Sequence, residues 1–412
     1  MDKKPERLVP EVRFKGFTDD WEQRKLGKVA CINPKTNIPD NFKYVDLESV
    51  VGTSLIKAKL TTKQLAPSRA QRVAKKGDIF YQTVRPYQKN NFLFDINNYD
   101  FQYVFSTGYA QLRSEINNYF LFSYLQRQRF VNLILRRSTG TSYPAISSKD
   151  LSEIKIIFPR NSKEQENIGK IINLIDALIT LQQRKLDQLK QLKTAMLQQL
   201  FVNKNYKQPI LRFKNFNGNW EKRKFSELAT IRRGLTYKPK DVRECGKNSK
   251  RVLRSSNINE NSFVIYNDDV FVDKSSINIA YVHNNDILIT AANGSSKLVG
   301  KHALIHDIPD NSAVHGGFML LASSNNPEFI NALMSSPWYS RFVNNYVIGG
   351  NGAIGNLKKD DLDSQIIYTP IKNEIKKIGH FFNRLDNLIA LQQNKLTQLT
   401  TLKKYLLQKL FI

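Results

Sequence analysis

Leu178-Ile179-Thr180-Leu181-Gln182-Gln183-Arg184-Lys185-Leu186 returns 210 residues later as Leu388-Ile389-Ala390-Leu391-Gln392-Gln393-Asn394-Lys395-Leu396. Around each copy runs an apolar pattern whose steps alternate four and three. In the first copy it passes through Ile168, Ile172, Ile175, Ile179, Gln182, Leu186, Leu189, Lys193, Met196 and Leu200. In the second it passes through Ile378, Phe382, Leu385, Ile389, Gln392, Leu396, Leu399, Lys403, Leu406 and Leu410. Four to five sustained heptads predict a coiled coil rather than an ordinary amphipathic helix. The stretch 162–202, at about 1.5 Å per residue, makes a rod of roughly 60 Å, which is longer than a domain of this size can cover. Two matched pairs of polar residues interrupt the seam, Gln182 with Gln392 and Lys193 with Lys403. Such residues weaken a coil but set its register and partner. Leu181, Leu192 and Leu197, with their mates Leu391, Leu402 and Leu407, widen the apolar stripe. A two-stranded coil leaves part of that stripe uncovered, which predicts docking of further subunits.

The duplication extends upstream. Pro10-Glu11-Val12-Arg13-Phe14-Lys15-Gly16-Phe17, then Trp21-Glu22-Gln23-Arg24-Lys25, returns 199 residues on. There it reads Pro209-Ile210-Leu211-Arg212-Phe213-Lys214-Asn215-Phe216, then Trp220-Glu221-Lys222-Arg223-Lys224. Both copies close on a Leu-Phe pair, Leu200-Phe201 and Leu410-Phe411. Two matches in one order at nearly one offset establish an internal repeat. The repeat divides the chain into a leading segment (1–20), a recognition domain (21–159), a helical tail (160–204), a linker repeating the leading segment (205–219), a second recognition domain (220–370) and a second tail (371–412).

In the first middle, Asp78–Tyr81, Tyr103–Phe105 and Ile154–Phe158 read as strands, the last stopped by Pro159. The span Asn118–Arg137 reads as a helix, with Phe120, Tyr124, Phe130 and Ile134 at helical spacing. The second middle repeats the mixture with Ile287–Ile289, a helix near Pro327–Val343, and Gln365–Tyr368 before Pro370. The expected fold class is α+β, two mixed α/β domains joined by two long helices. If the tails pair antiparallel, the middles lie at opposite ends of a rod and the helices set a distance.

The chain carries 63 Lys+Arg against 36 Asp+Glu, a formal charge of +27. A field of that sign recruits polyanions, and nucleic acid is the commonest of them. A basic surface kept for solubility accounts for several charges but not for 27. Cys31 and Cys245 are the only cysteines, too few for a disulfide framework or a cysteine-based zinc site. No uncharged run approaches the ~18 apolar residues of a membrane helix, and no apolar segment follows Met1-Asp2-Lys3-Lys4. A soluble, cytoplasmic protein acting without a membrane is the expectation.

Gly77-Asp78-Ile79 corresponds to Asn285-Asp286-Ile287, and just beyond this shared strand the copies part. Thr83-Val84-Arg85-Pro86-Tyr87-Gln88-Lys89 stands against Ala291-Ala292-Asn293-Gly294-Ser295-Ser296-Lys297. Arg reads guanine, Asn and Gln read adenine, and Lys, Ser and Thr hold phosphate. One scaffold with different reading residues predicts two different half-sites on duplex DNA. The candidate contacts are Thr83, Arg85, Tyr87, Gln88 and Lys89 in the first copy, and Asn293, Ser295, Ser296, Lys297 and Lys301 in the second. Drift in a surface loop explains any single one of them as well. Arg69, Arg72, Arg136 and Arg137, and in the second copy Arg232, Arg233, Lys238 and Lys240, are phosphate contacts as groups and ordinary solvated charges taken singly, and Tyr237 among them is a further DNA-binding candidate. The loops Ser138-Thr139-Gly140-Thr141-Ser142-Tyr143 and Gly349-Gly350-Asn351-Gly352-Ala353 occupy equivalent places and add Ser142, Tyr143 and Asn351. Their glycines allow close approach of backbone to a phosphate, or simply a turn.

Catalytic motifs are missing. His302 and His306 stand four apart without the Glu of a metalloprotease or a third ligand, so no metal site is expected. Gly294 to Gly300-Lys301-His302 has the wrong spacing for a phosphate-binding P-loop. Asn33-Pro34-Lys35 is not the Asn-Pro-Pro-aromatic motif of an amino-methyltransferase, Gly-x-Gly-x-x-Gly does not occur, and no nucleophile–base pair is visible. No catalytic residue and no cofactor are expected in this chain. A stand-alone DNA methyltransferase or nuclease with unrecognised motifs, and a non-catalytic RNA-binding coiled-coil protein, remain open as other readings.

The order of elements carries a resemblance. A Trp-Glu-x-Arg-Lys start is followed by a Gly-Asp-Ile strand with Arg-Pro shortly after, then Lys-Asp-Leu and Ile-Lys-Ile-Ile-Phe-Pro. Glu164-Gln165-Glu166-Asn167-Ile168 then opens a heptad helix with Leu174-Ile175-Asp176 and a terminal Leu-Phe. The chain resembles the specificity subunit of a type I restriction-modification system over its whole length, twice. The second copy departs at Asn373-Glu374-Ile375 and at Asn285, both scaffold positions. The resemblance implies two target recognition domains, inverted about a pseudo-twofold by an antiparallel coil, reading a bipartite asymmetric site in double-stranded DNA. It implies two methyltransferase (modification) subunits that carry S-adenosylmethionine. In the full enzyme it implies two restriction/translocase subunits that use ATP and Mg.

Overall fold

The computed structural model describes residues 8–202, 206–346 and 356–412. They form two compact units, one of residues up to 183 together with 395–412, the other of 184–394. This division cuts the chain elsewhere than the repeat does, because each unit takes one recognition domain and part of both tails. In unit 1 the helices are α1 (Asn118–Leu125), α2 (Gln128–Arg137) and the short α3 (Ser148–Ser152). The first tail is one helix, α4 (Ser162–Leu200). Unit 2 adds α5 (Phe225–Leu228), α6 (Pro327–Met334), α7 (Pro337–Tyr346) and α8 (Lys359–Asp363), and the second tail is α9 (Lys372–Lys409).

Two four-stranded sheets build unit 1, in the orders 30–32, 109–114, 79–82, 92–93 and 59–62, 41–45, 103–106, 70–73. The strand Ile79–Gln82 is buried at every residue, as expected of a central strand covered on both faces. Unit 2 repeats the first order as 230–233, 319–323, 287–290, 302–304, with Ile287–Thr290 likewise buried throughout. In the other sheet the copies share an antiparallel and a parallel pairing around 41–45 and around 249–253. Their edges differ: unit 1 adds 70–73 beside 103–106, whereas unit 2 adds 242–243 beside 271–273. A two-stranded ribbon in one register closes each domain, Glu22 opposite Phe158 and Glu221 opposite Thr369.

The helix expected over Asn118–Arg137 is broken. Arg127 adopts an extended backbone and turns its guanidinium over the rings of Tyr124 and Phe411, 4.7 and 5.1 Å from their centroids. The second copy breaks at the same place by a different means, because Pro337 opens α7 and disfavours helix at Ser336.

Each tail ends in the core of the domain from the other copy. In unit 1, Phe411 packs against Trp21, Phe120 and Tyr124. In unit 2, Phe201 packs against Trp220, Phe329 and Phe382. The start of each tail stays on its own domain. Gly169 and Gly379 let α4 and α9 press onto the first turns of α1 and α6, where an added Cβ would stand 2.7 Å from the Phe120 nitrogen and 2.8 Å from the Phe329 nitrogen. The tails therefore run antiparallel within each unit, and the two seam lysines meet carboxylates. Lys193 Nζ lies 2.5 Å from Asp386 in unit 2, and Lys403 Nζ lies 2.5 Å from Asp176 in unit 1. Leu181, Leu192, Leu391 and Leu402 are exposed as expected, but Leu197 is buried and Leu407 packs on the unit 1 core, so those two belong to the domains rather than to an uncovered stripe.

All five histidines of the chain lie between His283 and His380, inside unit 2. Burial pushes His302 and His315 down to about 4. The folded state thus binds fewer protons than the unfolded state between that value and 6.5, so their contribution is full above pH 6.5 and is lost as pH falls toward 4. Hydrogen exchange at pH 7.5 and 5.5, corrected for intrinsic rates, is expected to show protection falling in unit 2 with no histidine-driven loss in unit 1. Equal losses in both units would contradict this assignment.

Candidate nucleic-acid interface

In unit 1 the two loops singled out by sequence come together. Val84 and Thr139 both bridge to Ala145, and the Arg85 backbone N–H donates to the Pro144 carbonyl at 2.8 Å. Arg85 and Lys89 flank a single turn of 3-10 helix, Pro86–Gln88, and both adopt left-handed backbone at φ 54° and 55°. Such strain in residues other than glycine, of order 1–3 kcal/mol each, points to a site where side-chain direction matters. The Arg85 guanidinium lies 4.2 Å from the centroid of the Tyr143 ring. Tyr87 and Tyr143 are exposed, and Ser142 is exposed beside them.

Other candidates in these loops are spent on the scaffold. The Thr83 hydroxyl donates to the Gly108 carbonyl at 2.8 Å, and Gln88 accepts from Gln82 at 2.9 Å. Lys89 is drawn below the usual lysine range by burial and by Lys403. It lines a groove of about 980 Å3 with Arg127, Arg129, Arg136 and Lys404. Arg127 and Arg129 were not among the expected contacts. Arg127 is almost fully buried and lowered by that burial, so its charge supports a field more than it offers a contact. Arg69 is exposed, and its carbonyl accepts from Thr107 beside Gly108. Arg72 lies apart, in a groove with Lys35 and Lys63.

In unit 2 the equivalent loop places Asn293 in a groove of about 1130 Å3 with Tyr237, Arg254, Ser255 and Phe318. The Asn293 amide donates to Ser255 Oγ at 3.0 Å and its oxygen accepts from the Ser295 backbone. Ser295, Ser296, Lys297 and Lys238 are exposed, and Lys301 is half-buried at the start of the strand His302–Leu304. Asn351 and its glycine loop lie outside the described residues. Arg232 is spent on the scaffold: its guanidinium lies 3.1 Å from the buried Asp286, which also accepts from Ser323. The counterpart in unit 1 is Asp78 with Arg113, contributed by a different strand. Arg233 is exposed and 3.7 Å from Asp360. Among the described residues no cluster of His, Cys, Asp and Glu could hold a metal ion.

Two domains of one frame, carrying different exposed loops, match the model of the type I restriction modification DNA specificity domain over residues 18–191 and again over 217–401. The chain belongs to this family. The specificity subunit of the type I restriction enzyme HindI from Haemophilus influenzae is 25% identical over 193 residues, 45% of this chain and 41% of that protein. The specificity subunit of EcoKI from Escherichia coli K12 is 23% identical over 304 residues, 71% of this chain and 64% of that protein. The chain thus spans less than two thirds of the length of these relatives. The crystal structure of a type I S subunit from M. genitalium superposes with a TM-score of 0.67 at 16% identity, covering 98% of this chain and 99% of that one, so the specificity-domain fold is shared. The family match favours DNA specificity over a stand-alone enzyme or an RNA-binding coil.

Removing the Arg232 side chain leaves Asp286 buried beside Ser323. Arg232→Ala is expected to lower the unfolding free energy by about 2–4 kcal/mol, as for other part-buried pairs that lose one member, and urea titration measures it. Unchanged stability with weakened DNA binding would return Arg232 to the interface.

Proposed function

We propose that this chain is the DNA-reading subunit of a type I restriction-modification complex, with one half of a split, asymmetric site read by each specificity domain. The observation that carries this reading is the pair of unlike loops, Thr83–Lys89 and Ala291–Lys297, set on matching strands of matching sheets. Arg85, Tyr87 and Tyr143 offer guanidinium and aromatic contacts in unit 1, and Asn293, Tyr237 and Arg254 offer amide, ring and cation in unit 2. Lys89, Arg129, Arg136, Lys238, Lys297 and Lys301 supply phosphate contacts, which position without reading.

The chain contributes no catalytic group. Two modification subunits bring S-adenosylmethionine, and two restriction subunits bring ATP and Mg. Exposed leucines on the tails support their docking: Leu174, Leu178 and Leu181 in unit 1, Leu192, Leu388 and Leu391 in unit 2. The ion pairs of Lys193 and Lys403, with Gln182 and Gln392, hold the register of the tails. No helix among the described residues is long and apolar enough to cross a membrane, and the complex works on cytoplasmic DNA.

In a host expressing the chain with its modification subunit, methylated adenines are expected in a split motif. A continuous or palindromic motif would overturn the two-reader model. Replacing residues 21–158 with another reader should change one half-site alone. Within unit 1, Arg85→Ala is expected to relax base choice at one position by about 1–3 kcal/mol. Lys89→Ala should instead weaken binding to every sequence and reduce the salt slope by about one. Binding isotherms over a salt series on matched and mismatched duplexes separate the two, and equal effects from both substitutions would argue against this division.

A further inference from the structure

We infer that Phe318 is a stacking wedge that enters the base stack of the half-site read by unit 2. This rests on the reading of the chain as a DNA reader. Phe318 is 75% exposed, although the residues on either side of its hairpin tip, His315 and Met319, are at 1%. Its backbone is not free. The Phe318 carbonyl accepts from the Ala291 N–H at 2.9 Å and the Ala292 N–H at 3.1 Å. The Gly316 N–H donates to Leu253, and Leu235 donates to His315, at 2.9 and 2.8 Å. A ring held outward by a pinned main chain loses little freedom on binding, which is the condition for an efficient contact.

Unit 1 shows what this position does without a wedge. There the carbonyl of Gly108 accepts from the N–H and the hydroxyl of Thr83, at 3.0 and 2.8 Å. A Cβ on Gly108 would meet the Leu47 side chain at 2.9 Å. The same tip is thus filled from behind in one domain and carries a projecting ring in the other. The difference sits against the reading loop, where the copies diverge.

The surroundings of Phe318 fit a base step better than a protein. Asn293, Ser255 and Tyr237 share its groove, Arg254 adds a cation, and no carboxylate among the described residues lines it. Leu235 and Met319 line the same groove but are buried, and the apolar surface left exposed there, Phe318 with Pro239 and Val242, is smaller than the continuous patch that a protein partner buries. The projecting ring matches the single apolar side chains that part adjacent bases and favour flexible pyrimidine–purine steps.

The test uses the chain assembled with its modification subunits and a duplex carrying its methylated split site. Phe318→Ala is expected to weaken binding to that site about 10- to 100-fold, the scale of one lost stacking contact, with an unchanged salt slope. Phe318→Trp should retain binding. A 2-aminopurine placed in the unit 2 half-site should brighten with the native chain and with F318W but not with F318A. Because the ring is largely exposed, all three proteins should melt together. Native binding and brightening by F318A would overturn the wedge. So would loss of the modification subunits from F318A with unchanged DNA discrimination, the mark of a protein-docking ring. A native complex with no preference for its split site would overturn the DNA reading itself and the wedge with it.

Discussion

Everything in each unit hangs on one buried ion pair at the start of a long helix. Arg13 reaches both oxygens of Glu164 at 2.7 and 2.8 Å, and Arg212 reaches both of Glu374 at 2.8 Å. Each glutamate is 1% exposed at its side chain and lies in the first turn of its helix, where the helix dipole favours a negative charge. Losing one member of such a pair leaves a buried charge uncompensated, at a cost of about 3–5 kcal/mol. The leading segment is therefore no spacer. In each unit it also hydrogen-bonds to the end of the other tail, Val12 to Lys409 and Leu211 to Gln199, at 2.9 and 3.0 Å. One short repeated segment ties the beginning of one helix to the end of the other.

That tie makes the pairing of the tails specific. An apolar heptad seam alone tolerates a slip of one heptad, since leucine meets leucine again. The lysines do not tolerate it. Lys193 is nearly buried and its nearest carboxylate is Asp386, itself raised above the ordinary aspartate range by burial. A slip would leave both charges in the seam without partners, a larger cost than the leucines recover. Phe201 and Phe411 add a second check, because each ring has a place only among the aromatics of the domain it enters.

The tails were legible because heptad periodicity is local and survives in each window of sequence. The central strands were legible for the same reason, with Ile79–Gln82 and Ile287–Thr290 starting one residue or less from their expected positions. The break at Arg127 was not, because the ring its guanidinium covers there, Phe411, is far away in sequence. Nor were the unlike sheet edges 70–73 and 242–243, short strands whose pairing is decided by neighbours. Among the candidate contacts, residue type could not separate Arg232, locked onto Asp286, from Arg233, which is exposed. Phe318 left a trace that only the fold could interpret: Gly316-Gly317-Phe318 in one copy against Ser106-Thr107-Gly108 in the other.

That last comparison explains how a duplicated frame can come to hold two readers. What the copies share is main chain: the strand, the hairpin tip, and a tip carbonyl accepting from the loop beside it. Main-chain hydrogen bonds do not depend on side-chain identity, so the loop side chains can change without releasing the loop. Arg85 and Asn293 then sit on matching main-chain supports while presenting different chemistry, and a reading residue gains discrimination only if it is held in place when it meets the wrong base. The loops can diverge because the central strands beneath them are buried in both copies and the clamps at Glu164 and Glu374 are shared.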